Sequence, residues 1–291
     1  MNRILQDLLQ LLDLEPLEEN LYRGQSRDLG GKSVFGGQVI GQALVAAGRT
    51  VEASVPHSLH AYFLRPGDMG LPIIYEVDRV RDGRSFTTRR VQAIQHGAPI
   101  LSMIASFQRP EDGLEHQAHM PQVPPPEELR DKRELAYDWA GAHPDLPERV
   151  RIALLRELAI EFRPVQPWNP LLPEKREPLQ HIWFRAAGRL PDDPLLHRCV
   201  LAYASDFNLL STALLPHGHS WFEPNMVVAS IDHAVWFHRE ARVDEWLLYA
   251  MDSPSAQGAR GFSHAQVFTR DGVLVASVAQ ENLQRLLPAA P

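Results

Sequence analysis

The chain has 291 residues, 44% of them hydrophobic and 22% charged, with 29 Lys and Arg against 36 Asp and Glu and a formal net charge of −7. At roughly 150 residues per domain this suggests two units with a sizeable core. The acidic balance argues against nucleic acid or an anionic membrane as the main partner, since both reward a basic excess. The single cysteine, Cys199, excludes an intramolecular disulfide and a cysteine metal site, and fits a reducing, cytoplasmic setting.

The N-terminal stretch MNRILQDLLQLLDLEPL carries leucines at 5, 8, 9, 11, 12 and 14, interrupted by Asp7 and Asp13, and reads as an amphipathic helix rather than a secretory signal. GGQVIGQALVAAG, residues 36–48, reads as a second helix whose glycines and alanines permit close approach to a sheet. Its spacing is not Gly-x-Gly-x-x-Gly and no parallel strand leads into it, which argues against a dinucleotide loop. β-rich runs follow to about residue 108, with turn pairs at Asp82-Gly83 and His96-Gly97. From about Pro110 to Pro178 proline and charge dominate. Two helices are expected there, near 127–141 and 147–159, in a stiff connector packed over the surface. A third apolar helix around residues 200–214 then precedes a second set of strands, with a turn at Asp271-Gly272. No run reaches the 18 or so apolar residues of a membrane span, and the C-terminal PAAP carries no targeting address.

FLRPGDMGLPIIYEVD at 63–78 matches FHREARVDEWLLYAMD at 237–252. Arg65 and Arg239, Tyr75 and Tyr249, and Asp78 and Asp252 are each 174 residues apart; Gly97 and Gly272, and Ser102 and Ser277, are 175 apart. The chain therefore reads as an α+β tandem repeat of a long central helix wrapped by a curled antiparallel sheet, the arrangement called a double hot dog. The expected units are residues 1–110, a connector 111–178 and a second repeat 179–291.

Three polar residues of the second repeat read as inward-facing. Val200, Tyr203, Phe207, Leu210 and Leu214 form one helical stripe, and Asp206 lies on or beside it. An unpartnered polar group there costs roughly 2 to 7 kcal/mol, and a charged one more. In MVVASIDHAVWF, alternation puts Val228, Ser230 and Asp232 on one face and Ala229, Ile231 and His233 on the other. Gln280 shares its face with Leu274, Ala276 and Val278. Taken singly, each has an ordinary explanation as a rim, strand or surface residue. Together, carboxylate, hydroxyl and amide can hold one water and take its proton, with no metal, cofactor or covalent intermediate. The first repeat is an internal control: Ala105 stands in for Gln280, Pro56 for Ser230, and no acid occurs from Lys32 to Val51. One working site and one degenerate half are expected.

RGQS, VFGGQVIGQAL, HSLHAYFLRPGD, RDGRSFTTRRV, SFQRPEDGLEHQ, YASDFNLL, IDHAVWFHR, ARGF and DGVLVASVAQE resemble the acyl-CoA thioesterase II family, the TesB-like double hot-dog enzymes. The resemblance implies hydrolysis of medium- to long-chain fatty acyl-CoA by a water that an Asp-Thr-Gln triad orients. The Asp falls on Asp206 and the Gln on Gln280, while Ser230 occupies the Thr position, which keeps the hydroxyl but loses the χ1 restriction. The family's sheet pairing points to a homodimer or higher homo-oligomer. Arg65, Arg79, Arg81, Arg84, Arg89 and Arg90 are candidates for the CoA phosphates. His57, His60, His233 and His238 read as hydrogen-bonded structural residues, with no nucleophile turn or zinc spacing beside them. An enoyl-CoA hydratase or dehydratase, suggested by the Asp-x-Asn of DFN, and an inactive acyl-CoA-binding homologue are the alternatives.

Overall fold

The computed structural model describes residues 2–288. Helix α1 (Arg3–Leu12) is capped by Asn2, whose Oδ1 accepts the Ile4 N–H, and buries Leu5, Leu8, Leu11 and Leu12. Strands β1 (Glu15–Glu18) and β2 (Leu21–Gly24) lead to helix α2 (Gly36–Gly48) and then to β3 (Val55–Phe63), β4 (Ile73–Asp82), β5 (Phe86–Gln95) and β6 (Ala98–Gln108). The connector forms α3 (Lys132–Gly141) and α4 (Glu148–Leu155), both shorter than the sequence suggests, and contributes a strand of its own, β7 (Ile160–Pro164). The second repeat comprises β8 (Leu179–Ala186), α5 (Pro194–Ser205), α6 (Leu209–Leu214), β9 (Met226–Ser230), β10 (Asp232–Phe237), β11 (Leu247–Gln257), β12 (Arg260–Thr269) and β13 (Leu274–Leu286).

All strands join one antiparallel sheet in the order β1-β2-β4-β5-β6-β3-β10-β13-β12-β11-β8-β7, with β9 continuing along β13. The two repeats meet at β3 and β10. His60 pairs with Ala234 there, and these are the residues 174 apart; Leu59 pairs with Val235 and Ala61 with His233. A pseudo-twofold axis therefore passes through the His60–Ala234 rung, and the register found in the sequence is a symmetry of the fold. The architecture is an α+β double hot dog, in which each repeat's otherwise open sheet edge is covered by the other.

The helices depart from that register. α2 runs antiparallel to α5 at close range, with Gly37 over the Tyr203 carbonyl and Gly41 over that of Cys199. Between central helix and next strand the first repeat has residues 49–54, and the second has residues 206–225. This longer segment begins with Asp206. The single stripe expected from Val200 to Leu214 is consequently broken: Asn208, at φ 72°, ends one helix and starts another. The helical run Pro194–His217 is long and apolar enough by composition to cross a membrane, but 83% of its 18-residue apolar window is buried within the protein, as a core helix is.

Strand alternation also fails at one point. Ser230 pairs with Asn282, and Ala234 with Ala279, so four steps on one strand oppose three on the other. That extra residue is a β-bulge, and it turns His233 inward with Ser230, where simple alternation sets them on opposite faces. His233 is buried, and Asp232 instead accepts the Glu281 N–H at 2.7 Å.

The helix crossing provides a test. A Cβ on Gly37 would lie 2.4 Å from the Tyr203 carbonyl oxygen, a contact with backbone that no side-chain rotation relieves. Gly37→Ala should cost about 1–3 kcal/mol in urea unfolding, the usual penalty of overpacking. An unchanged midpoint would show that the helices are not this close.

Candidate active site

Asp206 caps the C-terminus of α5, just before the left-handed turn at Asn208, and its carboxylate lies at the N-terminus of α2. There Oδ2 accepts the Gly37 N–H at 2.8 Å. A Cβ on Gly36 would stand 2.7 Å from the same oxygen, so glycine is what lets helix and carboxylate meet. The N-terminal end of α2 carries partial positive charge, which favours the ionised acid.

Gln280 donates from Nε2 to Asp206 Oδ1 at 2.6 Å and to His233 Nδ1 at 3.2 Å. Ser230 Oγ lies 3.5 Å from Oδ1, the outer limit of a hydrogen bond. The fold thus gathers the three residues singled out from sequence, the hydroxyl most loosely. His233 adds a fourth. Its Nε2 is 2.8 Å from Ser205 Oγ, and Ser205 donates its own hydrogen to the Ala202 carbonyl at 2.9 Å. His233 therefore donates from Nε2 and accepts at Nδ1. Burial pushes its imidazole down to about 3, so it is neutral, and its 3.9 Å approach to Asp206 is not an ion pair. Both amide hydrogens of Gln280 are then used, and Oε1 is left without a partner among the described residues.

Burial drives the Asp206 carboxyl up to about 6, against the Gln280, Gly37 and Ser230 hydrogen bonds, each of which favours the ionised form. The first repeat lacks the machinery. Counted by the repeat register, His233 and Gln280 correspond to Leu59 and Ala105, which pair with each other as an apolar rung.

Asp206 opens onto a cavity of about 1250 Å³ with Trp139, Leu154, Phe162, Trp168 and Met226 in its walls. The connector, expected on the surface, forms much of this wall through α3, α4 and β7. None of the six arginines proposed from sequence for phosphates lines it. Arg65 donates to the Pro99 carbonyl as Arg239 does to that of Leu274, Arg89 is buried on Thr50 and Asp82, and Arg79 and Arg90 bind Asn20 and Asp78. The basic residues that do line the cavity include Lys132, Arg149, Arg156 and Arg185, three of them from the connector, where the sequence shows only a charge-rich stretch. Lys132 Nζ donates to Asn208 Oδ1 at 2.7 Å, and its ammonium is lowered to about 8 by burial and by Arg156. No group of three or more His, Cys, Asp or Glu among the described residues could hold a metal.

Two family models match the chain: acyl-CoA thioesterase over residues 159–283 and acyl-CoA thioesterase N-terminal domain over residues 25–108. Human acyl-coenzyme A thioesterase 8 is 46% identical over 286 residues, covering 96% of this chain and 88% of its own. Acyl-CoA thioesterase 2 of Haemophilus influenzae is 43% identical, covering 98% and 99%. This chain belongs to the acyl-CoA thioesterase family. The crystal structure of the acyl-CoA thioesterase II TesB2 from Mycobacterium marinum superposes with a TM-score of 0.79 at 44% identity, covering 97% of this chain and 100% of that one. As a member of the family the protein is a thioester hydrolase.

The raised carboxyl has two consequences of opposite sign. A carboxylate takes a proton only when ionised, so a reaction that uses Asp206 as its base should show kcat/KM for acyl-CoA falling about tenfold per pH unit below pH ~6 and levelling off above it. A rate flat down to about pH 4.5 would remove this carboxylate from the chemistry. For stability, the folded acid holds its proton to higher pH than the unfolded one. The native state therefore binds more protons between about pH 4 and pH 6, and Asp206 alone subtracts about 3 kcal/mol as pH rises through that window.

Proposed function

We propose that the protein hydrolyses medium- to long-chain fatty acyl-CoA by direct attack of water, with Asp206 as general base and Ser230 and Gln280 orienting the water. The observation that carries this reading is the Asp206 carboxylate: desolvated, held by three donors, and opening onto a large apolar cavity. Water gives its proton to Asp206 as its oxygen bonds to the thioester carbon, and the carbonyl electron pair moves onto oxygen. When the carbonyl re-forms, the C–S bond breaks and the proton on Asp206 passes to the departing sulfur. A thiol of pKa about 8.5 leaves readily, so the acid needs little strength.

Gln280 suits its role because both of its hydrogens are fixed by Asp206 and His233, which leaves Oε1 as an acceptor for a water hydrogen. The cavity exceeds the roughly 300–1,000 Å³ of ordinary small-molecule sites, which favours a long acyl chain. A hydratase would need His233 to face substrate, but both its ring nitrogens are engaged and its side chain is buried. The wider setting we infer is a cytoplasmic homo-oligomer. Tyr62, Ile104 and Trp236 are exposed on the outer face of the strands around the β3–β10 junction, where a second sheet could pack.

Free-thiol release from a panel of acyl-CoA esters tests this. Asp206→Asn should lower kcat by about 10² to 10⁴ while the melting temperature at pH 8 holds or rises, because a penalised buried charge is removed. Full turnover in that variant, or a wild type that prefers acetyl-CoA, would overturn the reading.

A further inference from the structure

Asp206 accounts for one part of the cavity wall; the opposite charge on that wall has no such account. Arg185 pairs with Glu161, Arg133 with Glu157 and Arg242 with Asp244, so most cavity arginines are neutralised within the protein. Arg156 is different. It is half-buried at the C-terminal end of α4, burial lowers its guanidinium below the usual range, and no hydrogen bond or ion pair to it exists among the described residues. Arg156 depresses the Lys132 ammonium more than Asp131 supports it, and Arg156 itself is offset only at a distance, by Tyr203 and Asp28, with no carboxylate in ion-pair contact among the described residues. A guanidinium that is desolvated and has only these distant charges for company makes none of its hydrogen bonds, and an anion arriving from outside would supply them.

The segment opposite Arg156 is Gly30-Gly31-Lys32-Ser33, all four of which line the same cavity. Gly30, at φ +75°, packs against Ala153 of α4, and a Cβ there would be 3.7 Å from Arg156 Nη1. The only hydrogen bond that an N–H of this loop makes is Gly30 to Asp28 at 2.6 Å; the amides of Gly31, Lys32 and Ser33 bind no acceptor among the described residues. Arg149 sits two turns before Arg156 on the same connector helix, lines the cavity, and is likewise unpaired. Free amides on a glycine-bearing loop, a flexible ammonium and a fork of guanidinium donors are the chemistry that binds phosphate.

We propose that Arg156, with Arg149 and the Gly30–Ser33 loop, is the seat of the CoA phosphates, so that the connector grips the nucleotide end of the substrate while the thioester reaches Asp206. This rests on the acyl-CoA reading above and names the residues that would recognise the anionic end. It also assigns the charged part of the connector a function beyond covering the cavity. The arginines of the first repeat's strands have no share in it.

The test compares a full substrate with one that lacks phosphate. Kinetics of Arg156→Gln are measured on a long-chain acyl-CoA and on the N-acetylcysteamine thioester of the same acid. KM for acyl-CoA should rise about tenfold or more with kcat nearly unchanged, while both constants for the short thioester stay at wild-type values. Arg149→Gln should show the same pattern more weakly. Thermal melting should change little in Arg156→Gln, since no hydrogen bond or contact ion pair is lost and a desolvated charge is removed. An unchanged KM for acyl-CoA, or an equal rise for both substrates, would overturn the assignment. Wild-type turnover of the phosphate-free thioester, run alongside, tests Asp206 chemistry independently of the phosphate seat.

Discussion

The structure turns on one contact, the Asp206 carboxylate against the first amides of α2. It ties the end of one repeat's central helix to the start of the other's, 169 residues away in sequence. Because α2 and α5 lie antiparallel with glycines at the crossing, the C-terminus of one is brought beside the N-terminus of the other, and an acid at that junction meets a helix dipole. The same contact keeps a desolvated carboxylate ionisable near neutral pH. Without it, burial alone would push the acid further toward its neutral form, which cannot accept a proton. Packing of the core and poise of the carboxyl are therefore one arrangement, and Gly36 and Gly37 serve both.

Symmetry explains why there is one such junction rather than two. The strands obey the twofold axis rung by rung, yet the second repeat inserts a longer segment after its helix, and Asp206 is its first residue. The first repeat passes from α2 into β3 through residues 49–54 alone, and the one acid there, Glu52, is exposed. Its Leu59–Ala105 rung fills with methyl groups the space that His233 and Gln280 fill with hydrogen-bonding atoms. A polar pair without an acid to satisfy would be a buried liability, so loss of the acid and loss of its partners go together.

The repeat, its register and the inward face of Gln280 could be read from sequence because each depends on a pattern within the chain itself. The helix stripe around Asp206 was legible, but its break was not: Asn in a left-handed turn looks like any polar residue in an apolar run until the second helix is seen. The bulge between Ser230 and Ala234 was equally hidden, since alternation assumes a partner strand advancing in step, and β13 is one residue short. Arginines in strands looked available for phosphate because sequence does not show that Arg89 has Thr50 and Asp82 as partners. Of those lining the cavity, Arg133, Arg149 and Arg156 come from a segment whose proline and charge read as mere covering.

The role of that segment follows from the reaction's requirements. A desolvated base is strong but costs stability, and water flooding the cavity would lower the carboxyl and weaken it. A wall of Trp139, Phe162 and Trp168 limits that, and proline holds it in place without a flexible hinge. Yet a wall that is only apolar would accept any greasy molecule. An acyl-CoA joins an apolar chain to an anionic handle, and in the proposed reading the cations without a contact partner in an otherwise neutralised wall select for that combination. Their mutual repulsion is a standing cost in the free protein, and it is relieved only when a ligand carrying the matching charge closes the circuit between loop and helix.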